Sequence, residues 1–294
     1  ARSRQALAGP RTIHARPSVP GMSLSFRRLG GTLGARVLTS LRDCDPKEVL
    51  RQVHLNGVLV FEGVAWTQPE MVRWFAGLAT PLPQRGRKTA RGDCEEVFVV
   101  SDHGEASASP FLSNAGLDLH SDLSYRMQPG TLSALYAAAV PEAGGDTAFV
   151  DCAAAFASLP APLQARLRML RARHCHPEAH MNPPEEQVPG SAPEAPLGVS
   201  HPAVRQHPET GAEALFVSPY FTTRLEGGAD EDPDELAELL SSMTAAMETR
   251  QEWRYTHRWT ERDLVLWDNR STVHGRQPFV GKRVLWRTQA RGPL

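Results

Sequence analysis

Glycine and proline interrupt this chain throughout: 23 glycines and 24 prolines are spread over 294 residues, with short apolar runs between them. Proline removes a backbone donor and glycine frees the backbone for turns, so such a chain cannot sustain many long helices. Short apolar runs bounded by these residues read as β-strands joined by turns. Val58–Phe61, residues 96–102 (EVFVVSD) and residues 131–140 (TLSALYAAAV) have this form, as do the C-terminal runs EWRYTHRW, DLVLWDN and KRVLWRTQA. Helical signals are confined to four places. One helix opens at Asp45–Pro46, a second covers residues 68–79, and a third is expected within 156–176. The fourth starts at an Asp232 cap with Pro233 in its first turn, and carries Leu236, Leu239, Leu240, Met243 and Met247 on one face. The pattern predicts a β-rich α+β fold with peripheral helices.

Ordered segments interleave without an internal repeat, so residues 22–294 are expected to form a single domain. Residues 1–21 carry four arginines and no acid, and read as a tag remnant, a disordered arm or an Arg-rich targeting segment. Residues 182–200 contain five prolines and cannot bury a core, which predicts a mobile loop or lid. Residues 103–117 are a second candidate for closing a site. Lys and Arg (32) nearly balance Asp and Glu (33), leaving no global field to hold nucleic acid or an anionic membrane. No apolar run approaches the roughly 20 residues of a membrane span. Cysteines 44, 94, 152 and 175 lack CxxC spacing and read as free thiols in a reducing cytoplasm. The expected partner is a small molecule, with assembly into a homo-oligomer left open.

Most of the eleven histidines are expected to be ordinary surface or hydrogen-bonded residues. That reading outweighs metal binding even for His174-Cys175-His176 with His180 nearby. His120-Ser121-Asp122 differs in kind. On a strand, residues i and i+2 share a face, so an imidazole and a carboxylate converge on one point. A His from a later strand would complete the two-His, one-carboxylate facial triad of non-haem Fe(II) oxygenases, and His274 stands just after LVLWDN. Arg283 and Arg287, four residues apart, would share another strand face. Arginines aimed inward are costly unless anions meet them, whereas a solvated face would only need surface salt bridges.

In four blocks the sequence resembles the iron(II)- and 2-oxoglutarate-dependent dioxygenases of the taurine dioxygenase (TauD/TfdA) type. LHSDLSY looks like the family's HxD strand, and PEAGGDTAFVD (141–151) like its GGDT segment. HPETGAEALFVSPYFTTRL (207–225) is similar to a third block, and LVLWDNRSTVH with KRVLWR to the distal-His and arginine block. The blocks keep the family's order from about Phe26 to Arg291. The resemblance implies a double-stranded β-helix (jelly roll) core and an enzyme that uses Fe(II), 2-oxoglutarate and O2. Its product would be a hydroxylated, desaturated or cyclised small metabolite, formed with succinate and CO2.

Residue by residue, the match implies that His120, Asp122 and His274 bind Fe(II). Thr147 and Arg283 match the residues that meet the distal carboxylate of 2-oxoglutarate. Arg287 matches the position that holds a substrate's anionic group, and Phe221 an aromatic that lines the substrate pocket. Asn114 and Arg126 are candidates for the entrance. The chemistry is iron-centred, with no separate side-chain acid or base.

Departures narrow the expectation. Eight residues separate His274 from Arg283, a short spacer that leaves Arg287 as an alternative co-substrate ligand. TPLPQRGRKT lacks the His and Tyr that read taurine, and Gly116 stands where the taurine enzyme has asparagine. Asp122 is present, which disfavours halogenation, since a halogenase of this fold needs a small residue there. An anionic or amino-acid-like substrate is expected. Two other classes remain: a triad metalloprotein of the same barrel that does not use 2-oxoglutarate, and a non-catalytic binding relative.

Overall fold

The computed structural model describes residues 24–84, 93–101, 114–178 and 198–292. The expectations for residues 1–21, for 103–113 and for 182–197 fall outside them.

Two antiparallel-rich sheets face each other. The larger has seven strands, in the spatial order Phe26–Arg28, Ala35–Val37, Val58–Phe61, Leu264–Asp268, Gly130–Ala139, Val284–Arg291 and Phe98–Ser101. The smaller has four, in the order Arg254–His257, Thr147–Asp151, Thr272–Arg276 and Leu117–His120. Neighbours in space come from distant parts of the chain, as in a jelly roll.

Alternation along one strand shows how the layers are held. In Leu264–Asp268, Val265 and Trp267 point inward and join Val60, Leu135, Leu285 and Phe149 between the sheets. The Trp267 and Phe149 rings meet edge-on at 5.6 Å across that gap. Leu264 and Leu266 point the other way, onto Val49 and Val53 of helix Pro46–Asn56 and Met71 and Phe75 of helix Gln68–Ala76. The outer face of the smaller sheet, through Val150 and Val273, packs on Leu236, Met243 and Met247 of helix Pro233–Thr249. Both sheets are therefore covered on both faces, which is why Leu264–Asp268 and Thr272–Arg276 are buried at every residue.

The caps read from the sequence form: Asp45 accepts from Lys47 N at 3.0 Å and Asp232 from Asp234 N at 2.9 Å. One helix does not. The stretch expected to be helical over 156–176 breaks into helices Cys152–Ala157 and Ala161–Met169, and Arg171–His174 is a strand. That strand is the centre of a small sheet between Val199–Pro202 and Thr222–Glu226, so long-range ladder bonds override the local helical period. The expected loop 182–200 also ends early, because Val199 begins a strand. No helix among the described residues is long and apolar enough to cross a membrane.

Candidate active site

Strands Leu117–His120 and Thr272–Arg276 pair so that His120 and His274 stand directly opposite each other. Their rings lie 4.3 Å apart, both on the buried face. Asp122 joins them by a different route from the one expected. The strand ends at His120, and the chain turns through Leu123, whose φ is 57°. Asp122 is placed by that turn: its N–H donates to Asn269 Oδ1 at 3.2 Å and its carbonyl accepts from Gly130 N at 3.0 Å. The i, i+2 convergence is thus made by a turn rather than by strand alternation.

The ligand atoms of His120, Asp122 and His274 all lie within 4.8 Å of one another. Each histidine Nε2 is 3.8 Å from an Asp122 oxygen. That is too long for a hydrogen bond, yet one ion with ligand bonds of about 2 Å can bridge it. His120 donates Nδ1–H to the Asp118 carbonyl at 2.8 Å, which leaves Nε2 unprotonated and aimed inward. The His274 ring is oriented by packing, 4.6 Å from Trp267 and stacked 5.9 Å from Phe149. Burial keeps both imidazoles neutral: the His274 pKa falls to about 3, with His120 adding to the effect, and His120 itself is lowered. For Asp122, burial alone would favour the acid, but His274, Arg287 and His120 outweigh it and hold the pKa at about 2. Two neutral imidazoles and a carboxylate on one side of a cavity suit a divalent metal.

The same cavity is lined by Thr147, Arg276, Arg283 and Arg287. Arg283 is 2% exposed and makes no hydrogen bond or ion pair with a described residue; its contact is the Phe279 ring. Burial, reinforced by Arg276, pulls its pKa down to about 9. Asp146 opposes this electrostatically but makes no ion pair with it, so the buried guanidinium is stabilised by an incoming anion. The GGDT segment explains how it fits. Gly144 and Gly145 adopt φ of 73° and 75°, and a Cβ on Gly145 would stand 3.2 Å from Arg283 Cδ and Nε. Only glycine allows the backbone to run so close to that arginine.

Arg287 and Phe221 also sit beside the three ligands. Arg287 Nη1 lies 3.4 Å from Asp122 Oδ1, and its guanidinium covers the Phe98 ring. Phe221 meets His120 edge-on at 5.6 Å. Arg126 stands further out, over Tyr125, whose ring is 4.9 Å from Phe221. Asn114 is exposed, and its backbone carbonyl receives Phe279 N at 3.1 Å. Among the described residues His174 and His176 join no metal-binding group; His174 bonds the Phe216 carbonyl, and His180 lies outside the described residues.

Several residues escaped the sequence reading. Ser133 donates to Asp122 Oδ2 at 2.7 Å, and Asn269 Nδ2 donates to Ser133 Oγ at 2.8 Å. Trp267 Nε1 donates to Asn269 Oδ1 at 3.0 Å. Arg276 is two residues from His274 on the same strand face, a spacing that could have revealed it. Trp259 Nε1 donates to Thr147 Oγ1 at 3.0 Å. A second buried group, His54, His207 and Asp268, joins the HPETG and WDNR stretches. It is already closed by a cation: Arg270 donates to Asp268 Oδ1 at 3.0 Å and Oδ2 at 2.9 Å.

Two neutral imidazoles and a carboxylate near a buried arginine without an ion pair, inside a jelly roll, are the arrangement of a dioxygenase. Residues 25–289 match the taurine catabolism dioxygenase TauD, TfdA family, and the chain belongs to it. The alpha-ketoglutarate-dependent 2,4-dichlorophenoxyacetate dioxygenase of Cupriavidus pinatubonensis is 31% identical over 257 residues, which cover 83% of this chain and 87% of that one. Pentalenolactone F synthase of Streptomyces avermitilis is 28% identical over 262 residues, 84% of each chain. A solved taurine dioxygenase from Burkholderia xenovorans aligns with a TM-score of 0.73 at 27% identity, covering 93% of this chain and 92% of that one.

Proposed function

We propose that the protein is an Fe(II)- and 2-oxoglutarate-dependent oxygenase that oxidises an unactivated C–H bond of a small anionic metabolite. The observation that carries this reading is the unpaired, buried Arg283 in the same cavity as His120 and His274, whose ligand atoms group with those of Asp122. Iron held by those three residues, with 2-oxoglutarate, supplies the O2 activation and C–H oxidation, releasing succinate and CO2.

The chain's own residues bind, orient and exclude water. Arg283 and Thr147 receive the distal carboxylate, while Asp118, Trp267 and Phe149 hold the two imidazoles in place. Arg287 is assigned to the substrate's anionic group, since it is 9% exposed and carries a charge into the metal's immediate surroundings. Phe221 is assigned to the substrate pocket because it meets His120 edge-on, and Arg126, over the Tyr125 ring, is assigned to the entrance. Asn114 is assigned to the rim. An anionic substrate is in keeping with the 2,4-dichlorophenoxyacetate of the Cupriavidus relative. Free thiols at Cys44, Cys94, Cys152 and Cys175 fit a reducing, cytoplasmic setting.

The test is an anaerobic titration. Fe(II) followed by 2-oxoglutarate should raise a weak visible charge-transfer band that His120→Ala abolishes. Folded protein that binds iron without developing the band would instead be a metalloprotein of this fold that does not use 2-oxoglutarate. A panel of amino acids, sulfonates and carboxylates, scored by succinate release, then identifies the substrate.

A further inference from the structure

Among the described residues that line the cavity with Arg283, Thr147 carries the only hydroxyl, and its hydrogen-bonding capacity is limited. A threonine hydroxyl has a single proton to give and can accept at its lone pairs. Trp259 Nε1–H donates to it at 3.0 Å, and an indole nitrogen can only donate. Among the described residues, the Thr147 proton itself has no acceptor. Thr147 is 2% exposed and lines the cavity with Arg283.

We infer that Trp259 sets the direction of the Thr147 hydroxyl, so that its proton points at the distal carboxylate of 2-oxoglutarate. This rests on the assignment of Thr147 and Arg283 to that carboxylate. Trp259 is a positioning residue: it acts through Thr147. A donor-only neighbour removes the alternative in which Thr147 donates outward and presents a lone pair to an anion. The chain indole N–H to hydroxyl to carboxylate is also cooperative, each bond polarising the next.

The surroundings hold the indole in place. Trp259 lies two residues beyond His257, which pairs with Thr147 across the sheet. The His257 ring meets Trp259 edge-on at 4.5 Å, and is itself fixed by Tyr255 Oη at 2.9 Å and Asp263 Oδ2 at 3.1 Å. The half-buried indole packs against the core between the sheets.

The test compares two co-substrates on the anaerobic Fe(II)-loaded protein. 2-Oxoglutarate has the distal carboxylate, and 2-oxobutyrate chelates metal identically but lacks it. Affinities are read from the charge-transfer band, without turnover. Trp259→Phe and Thr147→Val should each weaken 2-oxoglutarate, Thr147→Val by about 10- to 100-fold, the worth of one hydrogen bond to a charged group, and both should leave 2-oxobutyrate and Fe(II) affinity unchanged. In the double variant the losses should not add. Trp259→Phe that binds 2-oxoglutarate like the unmodified protein, or weakens both acids equally, overturns the inference while a selective Thr147→Val effect leaves the assignment beneath it standing. If Thr147→Val is not selective, that assignment fails and the inference with it.

A measurement that needs no tryptophan variant uses protein labelled with 15N at the indoles of its six tryptophans, with Zn(II) in place of iron. One indole N–H resonance should shift in Thr147→Val and move when 2-oxoglutarate binds. No responding indole overturns the inference.

Discussion

Arg287 Nη1 lies 3.4 Å from Asp122 Oδ1, so the cation assigned to the substrate touches the carboxylate assigned to the metal. The two sites share one buried charge. A metal held by that carboxylate would compete with the guanidinium and leave Arg287 available to a second anion. Arg287→Ala should therefore weaken an anionic substrate by about 2–5 kcal/mol, a large rise in KM, because a buried charge loses its partner. Half-stimulation of 2-oxoglutarate consumption measures it, and an unchanged value would remove Arg287 from the substrate site.

Asn269 ties the proposed metal ligand Asp122 to the larger sheet. It receives the Trp267 indole and the Asp122 amide, and donates to Ser133, which bonds Asp122. Asn269→Ala should lower Fe(II) affinity roughly 10- to 100-fold, as loss of a ligand's supporting shell does. Metal titration against a competing chelator gives the value; wild-type affinity would show that Asp122 needs no such support.

Gly145 offers a way to perturb the proposed co-substrate site without touching the proposed metal ligands. Gly145→Ala places a Cβ 3.0 Å from Pro141 Cγ and 3.2 Å from Arg283 at a φ of 75°. The backbone strain alone costs about 1–2 kcal/mol. The expected result is a lower melting temperature and weaker 2-oxoglutarate binding, with Fe(II) affinity retained, checked by calorimetry and the charge-transfer titration.

Acid should loosen the fold through two histidines remote from the cavity. Burial, then each one's cationic neighbours, lowers His174 to about 3 and His201 to about 4, from an ordinary value of 6.5. The unfolded chain takes up their protons near pH 6.5 and the folded chain does not. Their contribution to stability is thus full above that pH and is lost as pH falls toward the folded values. By pH 5 the loss is on the order of 2 kcal/mol per histidine. Urea midpoints at pH 7.5 and 5 test this, with His174→Gln flattening the slope; a midpoint independent of pH over this range would rule it out.

What could be read from the sequence were the residues whose signal is local. The Asp232 cap and the Leu236–Met247 stripe announce their helix, and the HxD and GGDT blocks point to the cavity. The ordered residues that escaped notice act across strands. Ser133 and Asn269 are 136 residues apart and meet only because Gly130–Ala139 and Leu264–Asp268 are paired. Arg171–His174 has helical surroundings in sequence, yet two sheet partners capture it. Asp122 was placed in the cavity by the right spacing and the wrong element, since strand and turn can both bring residues i and i+2 together.

His274 sits on the strand that joins both halves of the smaller sheet, between Thr147–Asp151 and Leu117–His120. A growing chain carries His120, Asp122 and Thr147 long before that strand is made. Until it slots in, the first two form an incomplete face, and Arg283, the residue proposed to receive the anion, has not been synthesised. The order of residues along the chain thus leaves His274, Arg283 and the cavity-wall strand Val284–Arg291 to be made last, so the cavity and its ligand set are completed together from the C-terminal end.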